Sequence, residues 1–458
     1  MRRLVVLLGA LAAGLTTPAH AIPSFARKYG TSCMTCHSVY PKLTPFGEAF
    51  RRNSFRFPGV DADYVKQEKI PLVPKVPGDD EPFALNAVPP LSFGFNGQAV
   101  AHPDKLSSGG RADNGAVFLT RDIVAEGHLW AGGSFSEVVS YFGEVTFSSD
   151  GTIDLEHAQV YASDLLGPKH AVNVRVGRGF SSLTSFGPHS SFLIDQIMPS
   201  SGVTALNGAT GATWNVFDHF NGVEVNGVLA GRLDYAAGLN AGSSDDIRSS
   251  ENYYGHLGYK LGGMRLDGEG GGKVDNATRP WEEQAVTIDA FAYRSVNSAT
   301  FANPDPASTA QVLVLDSATV FGGNLRVQLD SLELNAGVYW ENHNHAAADG
   351  SGAKLIAPYG ELSYIVEPWF VPAVRVEYSS FTPDGGATVD NVRIMPGIAS
   401  AVRPNIKLVL SCDLESASGQ PPGGWGAVGG IASPSPNSTS TSVGLEFENI
   451  QLFASIAF

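Results

Sequence analysis

The chain has 458 residues, 43% of them hydrophobic and 16% charged, with 52 glycines, three cysteines and a formal charge of −15 at pH 7. So acidic a balance disfavours nucleic acid as a partner and favours attraction of cations. Three cysteines exclude a disulfide-built scaffold, and no segment after the N-terminus approaches the ~18 consecutive apolar residues of a membrane-spanning helix.

Residues 1–21, MRRLVVLLGALAAGLTTPAHA, combine two arginines, an apolar run from Leu4 and an Ala19-His20-Ala21 ending. They predict a secretory signal peptide cleaved before Ile22, with an apolar run too short to cross a bilayer core of roughly 30 Å. Cleavage would remove Arg2 and Arg3 and leave the chain more acidic still. An exported chain without spanning helices is either a soluble periplasmic or secreted protein or a transmembrane β-barrel.

Residues 22–89 form a distinct unit, aromatic and proline-rich, with basic clusters at Arg27-Lys28 and Arg51-Arg52. It ends in IPLVPKVPGDDEP (70–82), whose prolines resist both helix interior and central strand and so predict an extended linker. Inside this unit stands Cys33-Met34-Thr35-Cys36-His37. C-x-x-C-H is the attachment site of c-type haem. Two thiols at this spacing can each add to one vinyl group of the macrocycle, and the adjacent histidine is held beneath the iron. Cys33 and Cys36 are therefore the expected thioether residues of one covalent haem c, and His37 its axial ligand. A thioredoxin-type CxxC would need a βαβ context, which is absent. Cys412, in IKLVLSCDLE, reads as a lone strand residue.

Between Ser38 and Ala101 there is neither His nor Met, so a distal methionine close in sequence cannot complete the iron's coordination. Met34 lies inside the attachment loop, badly placed for the opposite face. A sixth ligand must come from further along the chain or from a weaker group such as Tyr40 or Lys42. His102, His128, His256 and Met395 share the polar face of their predicted strands and are the candidates; a five-coordinate iron or a water ligand stays open.

From residue 90 to 458 the period becomes two. LSFGFNGQAVAH (91–102) alternates apolar and polar side chains, and the pattern returns in FLTRDIVAEGHLW, SYFGEVTF, AVNVRVGR, GVEVNGVLAG, NYYGHLGYKL, LELNAGVYW, AVRVEYSSF and IKLVLSCDLE. Long Gly, Ser, Asp and Pro stretches separate several of them. Soluble sandwiches and propellers also alternate. The absence of helical period, the mixture of long loops with short turns, and the ending LEFENIQLFASIAF favour an all-β transmembrane barrel of the bacterial outer membrane. At ~10 residues per strand plus turns, about 14–18 antiparallel strands fit, 16 best. In that barrel Arg175, Glu333, Arg375, Glu377 and Arg393 would line a polar lumen, and Val174, Leu334, Val374 and Val376 would face lipid. His343 and His345 (WENHNHAAADG) and Asp245-Asp246 are further loop positions where a metal or other cation could gather, although polar loops carry such residues incidentally.

The surroundings of the haem motif, IPSFARKYGTSCMTCHSVYPKLTPFGEAFRRNSFRF, resemble the N-terminus of the outer-membrane monohaem cytochrome-porin fusions of iron-oxidising bacteria. The matching positions are Pro23, Phe25, Ala26, Arg27, Gly30, Cys33, Cys36, His37, Pro41, Leu43, Phe46, Gly47 and Phe50, over about 35 residues; Lys28-Tyr29 stand where that pattern has Gln-Thr. The resemblance implies a small haem domain ahead of a porin-like barrel in the outer membrane of a Gram-negative bacterium. It also implies extracellular Fe(II) as electron donor and a periplasmic cytochrome c or copper protein as acceptor, whether or not the chain counts as an Fe(II)-oxidising enzyme. A unit of roughly 65 residues buries only about 60% of its surface alone, so docking into the barrel lumen as a plug would supply the missing cover. An outer-membrane conduit with another donor or acceptor, a diffusion porin carrying a haem plug, and a haem peroxidase remain the alternatives.

Overall fold

Strands that alternate polar and apolar side chains can cross lipid only if their sheet closes, because an open edge would leave N–H and C=O groups unpaired in hydrocarbon. A computed structural model of the chain shows that closure. It describes residues 23–59, 61–71, 84–86, 90–103, 117–187, 189–193, 210–211, 219–241, 252–269, 279–302, 311–345, 350–418 and 446–458. The predicted signal segment, most of the linker and Asp245-Asp246 lie outside these residues, as does the side chain of His102.

The strands are β1 Leu91–Pro103, β2 Val117–Ser134, β3 Val139–Ser148, β4 Ile153–Ala162, β5 Asn173–Phe180, β6 His219–Leu229, β7 Leu233–Asn240 and β8 Asn252–Gly262. They continue as β9 Glu283–Ala302, β10 Gln311–Asp330, β11 Leu332–His343, β12 Ala353–Tyr364, β13 Val371–Pro383, β14 Val389–Arg403, β15 Ile406–Ser418 and β16 Glu446–Ala457. Each pairs antiparallel with the next, β5 pairs with β6, and β16 returns to β1 with Ile450 opposite Ala101 and Ala457 opposite Gly94. Phe458 and Phe93 then exchange both backbone hydrogen bonds, 2.8 Å each. The result is a closed antiparallel barrel of 16 strands, with Thr210–Gly211 as a short arm on β9.

Burial follows the alternation. Arg375, Glu377, Glu333 and Glu361 are buried inside, while their strand neighbours Val376 (46% exposed) and Leu334 (38%) point outward with Leu257, Ile288 and Leu362. This apolar exterior, with exposed Phe93, Phe95, Tyr364, Trp369 and Phe458 near the end where β1 begins and β16 stops, is the lipid-facing surface of an outer-membrane barrel. Most turns at that end are short, as between β10 and β11, the connection from β8 to β9 being the long exception; the opposite end carries long connections, as between β5 and β6.

The N-terminal segment, residues 23–59 and 61–66, lies inside the barrel. Its helices are α1 Pro23–Tyr29, α2 Cys33–Cys36, α3 Pro45–Arg52 and α4 Asp61–Tyr64. Backbone and side chains tie it to the wall at the short-turn end: the Ser24 N–H donates to Ser92 Oγ, Arg27 to the Leu91 carbonyl, Lys28 Nζ to Ser134 Oγ, and Ser140 Oγ to the Ser54 carbonyl. Phe25, Tyr29, Phe46, Phe50 and Phe57 form one aromatic core with Trp130, Phe142 and Tyr161 of the wall. This segment is too short to enclose its own aromatic side chains, and the lumen provides the other half of the core.

After β5 the chain also folds inward. Leu183 and Phe186 pack against Tyr254, Phe291, Tyr293, Tyr339 and Tyr359 within the lumen, and Ser191 Oγ donates to Glu361 at 2.7 Å. The Leu43 N–H donates to the His189 carbonyl at 2.8 Å, joining this inward loop to the N-terminal segment.

Candidate functional site

The CxxCH turn owes its shape to two neighbouring caps. Ser32 caps α2 by accepting a hydrogen bond from the Met34 N–H, and the His37 N–H closes the turn onto the Cys33 carbonyl. Thr44 then caps α3, its hydroxyl accepting from Gly47 N–H (3.1 Å) and donating to the Thr35 carbonyl (2.7 Å), while its own N–H donates to the Cys36 carbonyl (2.9 Å). Pro45 follows at the first helical position, where a missing N–H costs nothing. In this way α3 is clamped onto the back of the CxxCH turn.

Cys33, Cys36 and His37 all line one cavity of about 400 Å³ between the N-terminal segment, the inward loop and the wall. The thiols are not bridged to each other. Burial, then the neighbouring Cys33, pushes the Cys36 thiol up to about 12. His37 Nδ1 lies 3.1 Å from the Pro41 carbonyl. A carbonyl only accepts, so the proton sits on Nδ1 and Nε2 keeps its lone pair, the arrangement that orients metal-ligating imidazoles. Burial lowers His37 to about 4, so the ring is neutral across the physiological range.

The lining also includes aromatic residues, Phe25, Phe50, Phe55, Trp130, Phe142 and Phe180, together with Arg51, Arg52 and Arg175 and the acids Glu48, Glu144, Glu156 and Asp234. Arg52 and Arg175 are paired with Asp234 and Glu224. Arg51 is exposed to the cavity, and enclosure together with Arg52 lowers it to about 10. Such a guanidinium is placed to meet an anionic group of a molecule filling the space. Two thiols outside any disulfide, an oriented neutral imidazole, an apolar aromatic wall and an available guanidinium match what a covalently attached haem, with its vinyl groups, iron and carboxylates, requires of a protein.

The remaining candidates occupy varied positions. His256 lines the cavity, with Nδ1 3.0 Å from the Leu183 carbonyl and Nε2 3.5 Å from Asp234. His128 stands in the wall of β2, hydrogen-bonded to Asn96, Glu144 and Thr146. Met395 packs with Val39, Phe192 and Trp281 in a separate apolar cluster. Tyr40 lines the cavity, but Lys42 is spent: its ammonium donates to Glu333 and to the Ser190 carbonyl, 2.5 Å each. His343 sits between Asp316 and Glu341, and His345 hydrogen-bonds Asp316 through its backbone. Three histidines not singled out from sequence also line the cavity, His157 from β4, His170 from the connection between β4 and β5, and His189 from the inward loop; His189 Nδ1 is 3.4 Å from the same Pro41 carbonyl that holds His37. Burial, then Arg51, lowers His189 to about 3.

No family model and no curated protein matches the sequence. Among solved structures the fold is similar to an anion-selective porin from Comamonas acidovorans, with TM-score 0.52 and 12% identity, covering 80% of this chain and 99% of that one. It is also similar to OmpT, an outer membrane protein of Vibrio cholerae, as its loop L8 deletion mutant (TM-score 0.51, 10% identity, 80% and 98% covered) and as its in-vitro folded trimer form (TM-score 0.51, 10% identity, 80% and 98% covered). The chain thus has the architecture of the outer-membrane porins, and its closed barrel and apolar exterior place it in the outer membrane of a Gram-negative bacterium.

Proposed function

We propose that this chain is an outer-membrane electron-transfer protein that holds one haem c through Cys33 and Cys36, with His37 as axial ligand, and moves electrons from extracellular Fe(II) to a periplasmic cytochrome c or copper protein. The observation that carries this reading is the opening of all three CxxCH side chains into one lumenal cavity, with the His37 proton held on Nδ1 by Pro41. A haem bound there supplies one-electron chemistry at its iron. The chain's own residues orient the axial imidazole, offer Arg51 to an anionic edge, and exclude bulk water with the aromatic wall.

The filled lumen favours electron transfer over solute diffusion, because the N-terminal segment and the inward loop both occupy the bore. The porin likeness keeps one rival, a diffusion porin whose haem segment is only a plug. Anaerobic visible spectra before and after adding Fe(II), with dithionite as the reference for full reduction, separate the readings. Full and rapid reduction by Fe(II) supports the proposal; reduction by dithionite alone removes Fe(II) as donor, and no c-type bands at all removes the haem.

A further inference from the structure

We infer that His128, Glu144 and Glu156 form a binding site for a divalent cation of the Fe(II) class, beside the part of the cavity that Glu144 and Glu156 line. The residues come from three consecutive strands, β2, β3 and β4, and offer one nitrogen and two carboxylate oxygens that all lie within 4.8 Å of one another. Ligand bonds of roughly 2.0–2.2 Å put donors on one ion up to about 4.4 Å apart, so small side-chain adjustments close the set.

The backbone makes a specific provision for this cluster. Glu144 pairs with His157 and Val145 with Leu155, so Glu156 is the extra residue of a β-bulge. In an unbroken strand adjacent side chains point to opposite faces, and with His157 turned inward Glu156 would face lipid. The bulge lets both line the cavity, which is how bulges re-aim side chains next to functional sites.

The charge pairing of this patch differs from that of most buried lumenal acids. Glu333 meets Lys42 and Arg326, Glu361 meets Arg375, Glu224 meets Arg175, Glu283 meets Lys260, and Asp413 meets Arg393, whereas Asp316 and Glu341 share His343. Among the described residues, Glu126, Glu144 and Glu156 have only imidazoles as ion-pair partners: His128 at 3.1 Å from Glu144 and 3.5 Å from Glu126, His157 at 3.7 Å from Glu144, and His219 at 4.0 Å from Glu156. These carboxylates thus keep oxygen lone pairs that no ammonium or guanidinium engages among the described residues, a donor set that a divalent cation can take. One imidazole with carboxylates suits Fe(II), Mn(II) or Zn(II) better than the all-oxygen shells of Ca(II) and Mg(II). Glu126 and Glu156 remain partly exposed, at 46% and 28%, which gives an ion a way in.

The identity of the ion as a donor rests on the electron-transfer reading; its binding does not. In that role Fe(II) loses one electron to the ferric haem proposed at Cys33, Cys36 and His37 and becomes Fe(III), with no atom transferred. The test titrates Mn(II) into the full-length holoprotein in detergent and follows the free-ion resonance signal. The wild type is expected to take up the ion, and Glu156→Gln and His128→Gln, two variants on different strands that guard against misfolding of either, each to weaken uptake at least tenfold. No uptake by the wild type, or unchanged uptake in both folded variants, overturns the site. Fe(II)-driven reduction measured alongside keeps the two claims apart: a wild type that binds Mn(II) but is never reduced by Fe(II) sinks the electron-transfer reading and supports the site, whereas variants with wild-type Mn(II) uptake and reduction rate sink the site alone.

Discussion

Gly47 stands so close to the Cys36 carbonyl that a β-carbon at position 47 would overlap it. The two meet because Thr44 clamps α3 onto the CxxCH turn, and only glycine permits that approach. Gly47→Ala must push the helix and turn apart, at a cost of about 1–3 kcal/mol for overpacking. Since α3 also carries Phe46 and Phe50 into the aromatic core, the strain falls on the CxxCH turn rather than on the barrel. The expected result is a haem-to-protein ratio several-fold below wild type, with heat-modifiable migration of the barrel unchanged. Equal haem content would show that the close packing serves folding alone.

Replacing both thiols is a sharper test. In Cys33→Ser/Cys36→Ser the small polar replacements fit the same turn, and Ser32, Thr44 and the Pro41 carbonyl keep their bonds. Haem staining on a denaturing gel should disappear completely while membrane insertion persists. Retained covalent stain would mean that attachment lies elsewhere in the chain.

The barrel was legible in the sequence wherever strands alternate without interruption, as in Val371–Pro383, and the expected number of strands matches the 16 found. β4 was not legible, because the bulge at Glu156 reverses the parity of IDLEHAQVYA midway and destroys the period that pattern reading relies on. β9 and β10 also escaped, since alanine, serine and glycine dilute their alternation. In the candidate site, parity turned His128 and His256 inward, where both are found, but it said nothing of depth: Met395 shares that polar-face register and is consumed by packing beside Val39. His189 carries no period at all. It reaches the cavity only because a long loop folds inward, a tertiary event with no local signature.

The N-terminal segment should act as a stopper whose grip depends on a few buried charges. Lys42 is held by Glu333, and Arg326 spans Glu333 and Glu48. Burial alone would raise the Glu48 carboxyl, but Arg326 and then Arg52 hold it down to about 2. Lys42→Met breaks one arm of this network, and removing one partner of a buried pair costs on the order of 3 kcal/mol, less here because Arg326 still pairs with Glu333. In planar bilayers the wild type is expected to conduct little and the variant to show more frequent openings. A large, steady conductance in the wild type would favour the diffusion-porin reading.

His189 sets an acid limit on the same assembly. Its ordinary value of 6.5 falls to about 3 on folding, first through burial and then through Arg51. The unfolded chain therefore binds the proton more readily, so the contribution is fully present above about pH 6.5 and is lost as pH falls toward 3. At pH 4.5 the wild type should have given up about 1–2 kcal/mol relative to neutral pH, since each unit of separation is worth about 1.4 kcal/mol and the partly accessible ring calls for a discount. His189→Asn keeps a hydrogen-bonding side chain near the Pro41 carbonyl but cannot titrate. The expected outcome is a lower urea midpoint than wild type at pH 7.5 and a shallower decline between pH 7 and 4.5. Parallel declines for both proteins would place the acid sensitivity in other groups, and the inward loop would then owe its position to Leu183 and Phe186 rather than to a neutral imidazole beside His37.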